Sequence, residues 1–185
     1  MTMLRYTLTA TALAAALLAG FAAANAAGAP ISDSDYIAQI APAAPAAVVK
    51  GATIVKMGDN GAMRTLQTGS NGFTCMLLGP QEPMCADNNA MAWMKAILTH
   101  GTPPATTGFV YMLAGDEGAS NSDPYARAQT ADNHWVKTGP HVMLLGPSVK
   151  GMGYPMGLDP DPTKPYVMWP DSPYAHLMIP VSVSP

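Results

Sequence analysis

Two short apolar runs late in the chain repeat one pattern of hydrophobic and polar positions. They span residues 139–146 and 173–180, and Gly or Pro stands at most of their boundaries. Apolar runs of this length between turn residues predict buried β-strands. Because side chains alternate between the two faces of a strand, a histidine and the methionine two residues after it share one face in each run. These pairs are His141 with Met143 and His176 with Met178. If the two strands pair with each other, four soft donor groups can meet.

Further strands are expected earlier in the chain. Residues 52–57 and 62–67 are β-type runs separated by a segment that contains Asn60-Gly61, and Asn-Gly is the strongest short signal for a hairpin. A second Asn-Gly pair precedes the apolar run at 73–78. This order predicts a meander of three antiparallel strands. Later runs with strand character cover residues 108–113, 134–137 and 166–169.

The clearest helix is predicted between the meander and the later strands, near residues 87–99. Asp87 can cap its first turn, and Met91, Met94 and Leu98 fall on one face. A glycine and two prolines follow its end, as is common after a helix. The pattern as a whole predicts a single α+β domain that is rich in loops. Its antiparallel-rich sheet is expected to carry one main packed helix.

The chain before this domain divides into two segments. Residues 1–26 combine Arg5, an Ala/Leu-rich run and a small-residue cleavage signal, which together predict a secretory signal peptide, with an uncleaved membrane anchor as the alternative. Residues 27–50 hold a short helical signal followed by an Ala/Pro-rich stretch, which is expected to be a semi-extended linker. Residues 51–185 then form the α+β domain.

Cleavage of the signal peptide implies a periplasmic or secreted protein. In an oxidising compartment, Cys75 and Cys85 are expected to form a disulfide bond. A thiol metal pair or a cysteine nucleophile is the alternative, but the spacing is not that of a C-x-x-C site. No apolar stretch after the signal peptide is long enough to cross a bilayer, so no transmembrane segment is expected after cleavage.

The charge of the chain argues against nucleic acid as a partner. Lys and Arg number nine against twelve Asp and Glu, and one of the nine, Arg5, belongs to the signal peptide. Binding to a phosphate backbone depends on clustered basic charge, which this sequence lacks. A small molecule or a metal ion is the partner that the composition leaves open.

Methionine is the anomaly of the composition. Of 14 methionines, twelve follow residue 26, where Leu is less frequent than Met. Thioether and imidazole ligands select Cu(I), so copper is the candidate cofactor. Its expected ligands are His141, Met143, His176 and Met178, with Met112 and Met168 in reserve. Core packing by an adaptable side chain and sacrificial oxidation to sulfoxide are the two alternatives.

The polar loop from residue 114 to 133 offers a second class of function. A hydrolase needs a nucleophile, a base and an acid that orients the base. Ser120, Asp123 and His134 are candidates for those roles, and His141 or His176 are further candidates for the base. The bland alternative is that the Ser, Asn and Asp side chains of this loop form turns with their own backbone.

Two more functions are compatible with the sequence. Aromatic residues near the C-terminus, together with methionines, suit a pocket for a small ligand. The expected wall residues are Tyr111, Trp169 and Tyr174. The low charge and the apolar composition also fit a structural or interaction protein of the cell envelope.

Several segments of the chain resemble a group of uncharacterised secreted bacterial proteins. The segments are Gly72-Phe73-Thr74-Cys75-Met76, Asp123-Pro124, Gly139-Pro140-His141-Val142-Met143, Val167-Met168-Trp169 and Pro173-Tyr174-Ala175-His176-Leu177-Met178-Ile179-Pro180. The resemblance spans roughly residues 69–181. It implies one secreted domain and carries no activity or catalytic residue with it.

Overall fold

A computed structural model describes residues 31–58 and 61–182 of the chain. The predicted signal peptide, residues 1–26, lies outside the described residues. One compact unit begins at Ile31. Its helices are α1 (Asp33–Ile40), α2 (Ala46–Gly51) and α3 (Asn88–Leu98). Its strands are β1 (Thr53–Met57), β2 (Met63–Gln67), β3 (Phe73–Leu77), β4 (Pro83–Asp87), β5 (Gly108–Met112), β6 (Ala119–Ser120), β7 (Trp135–Val136), β8 (His141–Leu145), β9 (Tyr166–Met168) and β10 (His176–Pro180).

Eight of these strands form one sheet in the order β2-β1-β3-β4-β5-β8-β10-β9, and β6 and β7 form a small ribbon. Most neighbours are antiparallel, which confirms the predicted α+β class. Strand β8 pairs with β10 along its whole length, which meets the condition stated for the two repeated runs. The last strand, β9, closes the far edge of the sheet against β10.

The first three strands do not form the predicted antiparallel meander. Strand β1 lies between β2 and β3, and it pairs with β3 in parallel. The chain reaches this arrangement by crossing beneath the start of β1 at Gly69, where a Cβ atom would lie 2.1 Å from the carbonyl carbon of Ala52. Backbone N–H groups of Ser70 and Asn71 donate to Gly51 O at 2.9 and 3.2 Å, which fixes the crossing. The Asn-Gly hairpin signals in the sequence do not indicate that β3 pairs with β1 in parallel.

Strand β4 follows β3 through a tight turn and carries the second cysteine. Cys75 and Cys85 stand directly opposite each other in the antiparallel β3–β4 pair, with Cα atoms 4.0 Å apart. They form a disulfide bond, which confirms the expected pairing. Both cysteines are fully buried. The run at residues 83–87 was not among the strands predicted from the sequence.

Helix α3 begins where it was predicted to begin. The Asp87 carboxylate accepts the backbone N–H of Ala90 at 2.7 Å, which caps the first turn. The buried face differs from the prediction, because it carries Ala90 and Trp93 while Leu98 is exposed. The small side chain of Ala90 meets Gly108 of β5, where an added Cβ would lie 2.4 Å from Ala90 N. The helix therefore approaches the sheet closely at Ala90.

The opposite face of the sheet is covered by the N-terminal helices. Tyr36 and Ile40 of α1 pack with the disulfide and with Ile54. The Ala/Pro stretch that was expected to be a linker instead forms a 3-10 turn at Ala41–Ala43 and helix α2. Alanine favours helix strongly, and proline is tolerated at helix starts, so these residues suit two short helices. Among the described residues, no helix has both the length and the apolar character to cross a bilayer.

Candidate functional site

A large cavity lies between helix α3 and the adjacent face of the eight-stranded sheet. Its volume is about 1250 Å³. Ten of the twelve methionines that follow residue 26 line it, all except Met152 and Met156. We call it the methionine cavity. Exposed side chains at its rim, among them Met57, Met63 and Leu98, leave it open to the surface. The excess of methionine in the sequence is thus concentrated at one site.

Strand register sorts the donor side chains of this cavity into rows across the sheet. In the first row, Met76 of β3 stands opposite Met84 of β4, and Met112 of β5 stands opposite His141 of β8. The β4–β5 register pairs Cys85 with Tyr111, so one step further brings Met84 beside Met112. Side chains directly opposite each other have Cβ atoms roughly 5 Å apart. Three thioethers and one imidazole therefore stand side by side.

The four predicted copper ligands stand in three different rows of this face. Met143 stands opposite Met178, so these two thioethers meet as the pattern predicts. His141 stands opposite Pro180, and His176 stands opposite Leu145. Four residues along a strand correspond to roughly 13 Å, so the two histidines belong to different ends of one face. The nearest methionine to His176 by register is Met168 of β9.

His141 is held by hydrogen bonding to its own loop. Its Nδ1 lies 2.7 Å from Gly139 O, and because a carbonyl only accepts, Nδ1 carries the proton and donates. The Nε2 lone pair is buried and has no hydrogen-bond partner within the described part of the chain. Asp116 Oδ2 is 4.0 Å from Nε2, too far for a hydrogen bond. Asp116 Oδ1 in turn accepts the N–H groups of Thr138 and Gly118 at 2.9 and 3.0 Å, which orients the carboxylate.

His176 occupies an aromatic wall of the cavity. Its ring meets Trp169 and Trp93 edge to face, with centroid distances of 4.8 and 5.6 Å. The two tryptophans lie parallel with centroids 6.3 Å apart. His176 Nδ1 donates to Tyr174 O at 3.1 Å, which repeats the His141 arrangement, again with the carbonyl two residues earlier. Both histidines thus keep Nδ1–H engaged and leave Nε2 as the available lone pair.

Burial sets the protonation of these groups. Removal from water lowers the pKa of His176 to about 4. Burial also lowers the pKa of His141, opposed by the Gly139 hydrogen bond and by the Asp116 charge. The same loss of solvation raises the pKa of Asp116, against its two backbone hydrogen bonds. Both imidazoles are therefore neutral near pH 7.

This protonation predicts a pH-dependent stability. His176 is protonated in the unfolded chain below about pH 6.5 and neutral in the folded chain down to a pKa of about 4. Its contribution is therefore complete above pH 6.5 and is lost as the pH falls toward 4, by about 1.4 kcal/mol per pH unit. Both proteins retain His141, so both should lose stability as the pH falls, and we expect urea unfolding to show a larger loss in wild type than in His176→Phe. Parallel curves for the two proteins would contradict the assignment.

The hydrolase candidates make structural hydrogen bonds. Ser120 Oγ donates to Asn133 O at 2.7 Å and accepts the backbone N–H of Asp123 at 2.9 Å. His134 Nδ1 pairs with Asp159 Oδ1 at 2.9 Å, on the protein surface. Within residues 31–58 and 61–182, no histidine side chain hydrogen-bonds to the Ser120 hydroxyl. Ser120 is thus not hydrogen-bonded to a candidate base in the part of the chain that the structure describes, and the hydrolase remains a hypothesis from the sequence.

The predicted aromatic pocket is only partly assembled. Trp169 lines the methionine cavity, whereas Tyr174 does not. The Tyr174 hydroxyl donates to Gly101 O at 2.7 Å. Tyr111 faces the opposite side of the sheet, because it alternates with Val110 and Met112. Sequence reasoning missed Trp93 and Asp116 as parts of the site. The helical position of Trp93 gave a signal, whereas the approach of Asp116 to His141 depends on the fold of a loop.

Comparisons with known proteins add no relationship. The chain matches no protein-family model, no curated protein and no solved structure. Among the described residues, no group of three or more His, Cys, Asp or Glu side chains is placed to hold a metal ion. The chemistry of the site therefore depends on its thioethers, its two imidazoles and its shape.

Proposed function

We propose that this protein binds a small apolar molecule in the methionine cavity and that it acts outside the cytoplasm. The single observation that carries the proposal is the cavity itself, a space of about 1250 Å³ lined by ten methionines and two tryptophans. Known pockets for drug-sized molecules have roughly 300–1000 Å³ and mostly apolar walls. The cavity is large enough for such a ligand and has the corresponding chemistry.

The character of the wall favours an aromatic or otherwise polarizable ligand. Methionine side chains are flexible, so a methionine-rich wall can adapt to several shapes. Thioether sulfur makes favourable contacts with aromatic rings, and the paired rings of Trp93 and Trp169 add a flat surface. Trp93 Nε1 is buried without a hydrogen-bond partner within the described part of the chain. An acceptor group on the ligand would satisfy it.

The disulfide bond and the signal-like N-terminal sequence support the proposed location. A disulfide is stable in the periplasm and rare in the cytosol. N-terminal sequencing of the protein from a periplasmic fraction tests this part of the proposal, and a chain that begins at Ala27 is the expected result.

Binding is tested with N-phenyl-1-naphthylamine, a neutral aromatic probe that becomes fluorescent in apolar surroundings. We expect saturable binding of one probe per chain. Met143→Trp replaces a flexible thioether chain by a bulky indole ring inside the cavity. The variant should bind the probe about tenfold or more weakly, because the indole occupies volume that the probe needs. Met156→Trp is the matched control, since Met156 is exposed and outside the cavity. Equal affinity in the two variants, or no saturable binding by wild type, contradicts the proposal.

A further inference from the structure

The lone pair on His141 Nε2 is buried and available to a ligand. The His141 side chain is 0% exposed, and its Nε2 makes no hydrogen bond within the described part of the chain. Buried polar atoms of folded proteins almost always have a partner, and an exception points to a functional role or to a bound water, ion or ligand. The Nδ1–H bond to Gly139 O fixes the tautomer in which Nε2 is unprotonated. Metal-binding histidines are held in the same way by a bond from their other nitrogen.

On the β5 side of His141, the neighbouring groups across the sheet are thioethers. Met112 stands directly opposite His141 on β5, and Met84 follows beside Met112 on β4. All three side chains line the methionine cavity, so they share one face of the sheet. Met84 is 0% exposed and Met112 is 4% exposed. This row offers one nitrogen and two sulfur donors on buried side chains.

This donor set selects the metal. Thioether sulfur is a soft ligand, which suits Cu(I) and is a poor ligand for Zn²⁺, Mg²⁺ or Ca²⁺. The usual Zn²⁺ ligands are also too few here, since no group of three His, Cys, Asp or Glu side chains is placed for an ion in residues 31–58 and 61–182. One imidazole with two thioethers is therefore a site for Cu(I) in preference to the commoner ions.

We infer that His141, Met112 and Met84 bind one Cu(I) ion through Nε2 and two sulfur atoms. This set differs from the ligands expected from the sequence, because the strand register separates His141 from His176. Asp116 Oδ2, 4.0 Å from Nε2, supplies a negative charge that offsets the charge of the ion. The inference does not depend on whether an apolar molecule also binds in the cavity.

The test is an anaerobic titration of the mature, disulfide-bonded protein with Cu(I) against the chelator bicinchoninate. One Cu(I) per chain is expected, and an excess of Zn²⁺ should not displace it. His141→Ala should lower the Cu(I) affinity about 100-fold, because it removes the only nitrogen donor. Met112→Leu nearly conserves volume and keeps the fold, so its expected loss of about tenfold reports on the sulfur donor alone.

Two control variants separate this site from other sets of donors. Met156→Leu changes a methionine outside the cavity and should leave the Cu(I) affinity unchanged. His176→Phe removes the other imidazole and should also leave it unchanged. X-ray absorption of the loaded protein should show one nitrogen and two sulfur neighbours. No stoichiometric Cu(I) binding, or an equal loss of affinity in His176→Phe and His141→Ala, overturns the inference.

Discussion

Replacing Gly69 with alanine should lower the free energy of unfolding by roughly 3–4 kcal/mol. The chain crosses beneath strand β1 at this residue, and a Cβ atom there would lie 2.1 Å from Ala52 C and 2.3 Å from Gly51 O. These contacts are to backbone atoms, which cannot rotate away as a side chain can. The crossing must therefore widen, and the hydrogen bonds from Ser70 and Asn71 to Gly51 O must lengthen.

Chemical denaturation of wild type and Gly69→Ala measures this effect. Gly157→Ala is the matched control, because a Cβ at Gly157 meets no atom within 4 Å. The control variant should differ from wild type by less than about 0.5 kcal/mol. Similar stability of the two variants would show that β3 does not reach its place beside β1 through this close crossing.

Local patterns were sufficient to predict most of the individual elements. Alternation of apolar residues predicted strands β8 and β10, and the cap at Asp87 predicted the start of helix α3. The Cys75–Cys85 pairing followed from the spacing and the expected compartment. Each of these features depends on residues that are close in sequence, or on a pattern strong enough to repeat.

The remaining features depend on contacts between distant residues. The order β2-β1-β3 is set by the crossing at Gly69, and a glycine between two strands predicts a turn without its direction. The buried face of α3 is set by the fit of Ala90 against Gly108, which periodicity alone assigned differently. Both contacts join residues that are far apart in the sequence, so neither could be deduced from composition.

The same limit applies to the donor groups. The sequence grouped His141 with His176 because their strands look alike, and antiparallel pairing places the two at opposite ends of the shared face. The sequence does not indicate Met84 as a ligand, because it does not predict strand β4. Only the register across three strands brings Met84, Met112 and His141 into one row. A sequence can indicate which types of donor group would form a metal site, but the strand register is needed to identify the individual ligands.

Removing the disulfide bond should cost about 3 kcal/mol of stability, the other large effect that we expect. The bond closes a loop of ten residues, and freeing a loop of that size adds entropy to the unfolded chain. Cys75→Ala/Cys85→Ala is the informative variant, because it removes the bond without leaving a reactive thiol. The expected change in melting temperature is a decrease of about 8 °C. Calorimetry of the double variant beside wild type measures it.

Burial of the bond provides an internal control on this result. Both cysteines are fully buried between the sheet and helices α1 and α2, so a reductant reaches them only when this part of the protein opens. We therefore expect dithiothreitol to act slowly on the native protein and rapidly in urea. Once reduced, wild type should melt close to the temperature of the double variant. A reduced wild type that melts at the temperature of the oxidised protein would show that packing against Ile40 and Ile54, and not the covalent bond, holds strands β3 and β4 together.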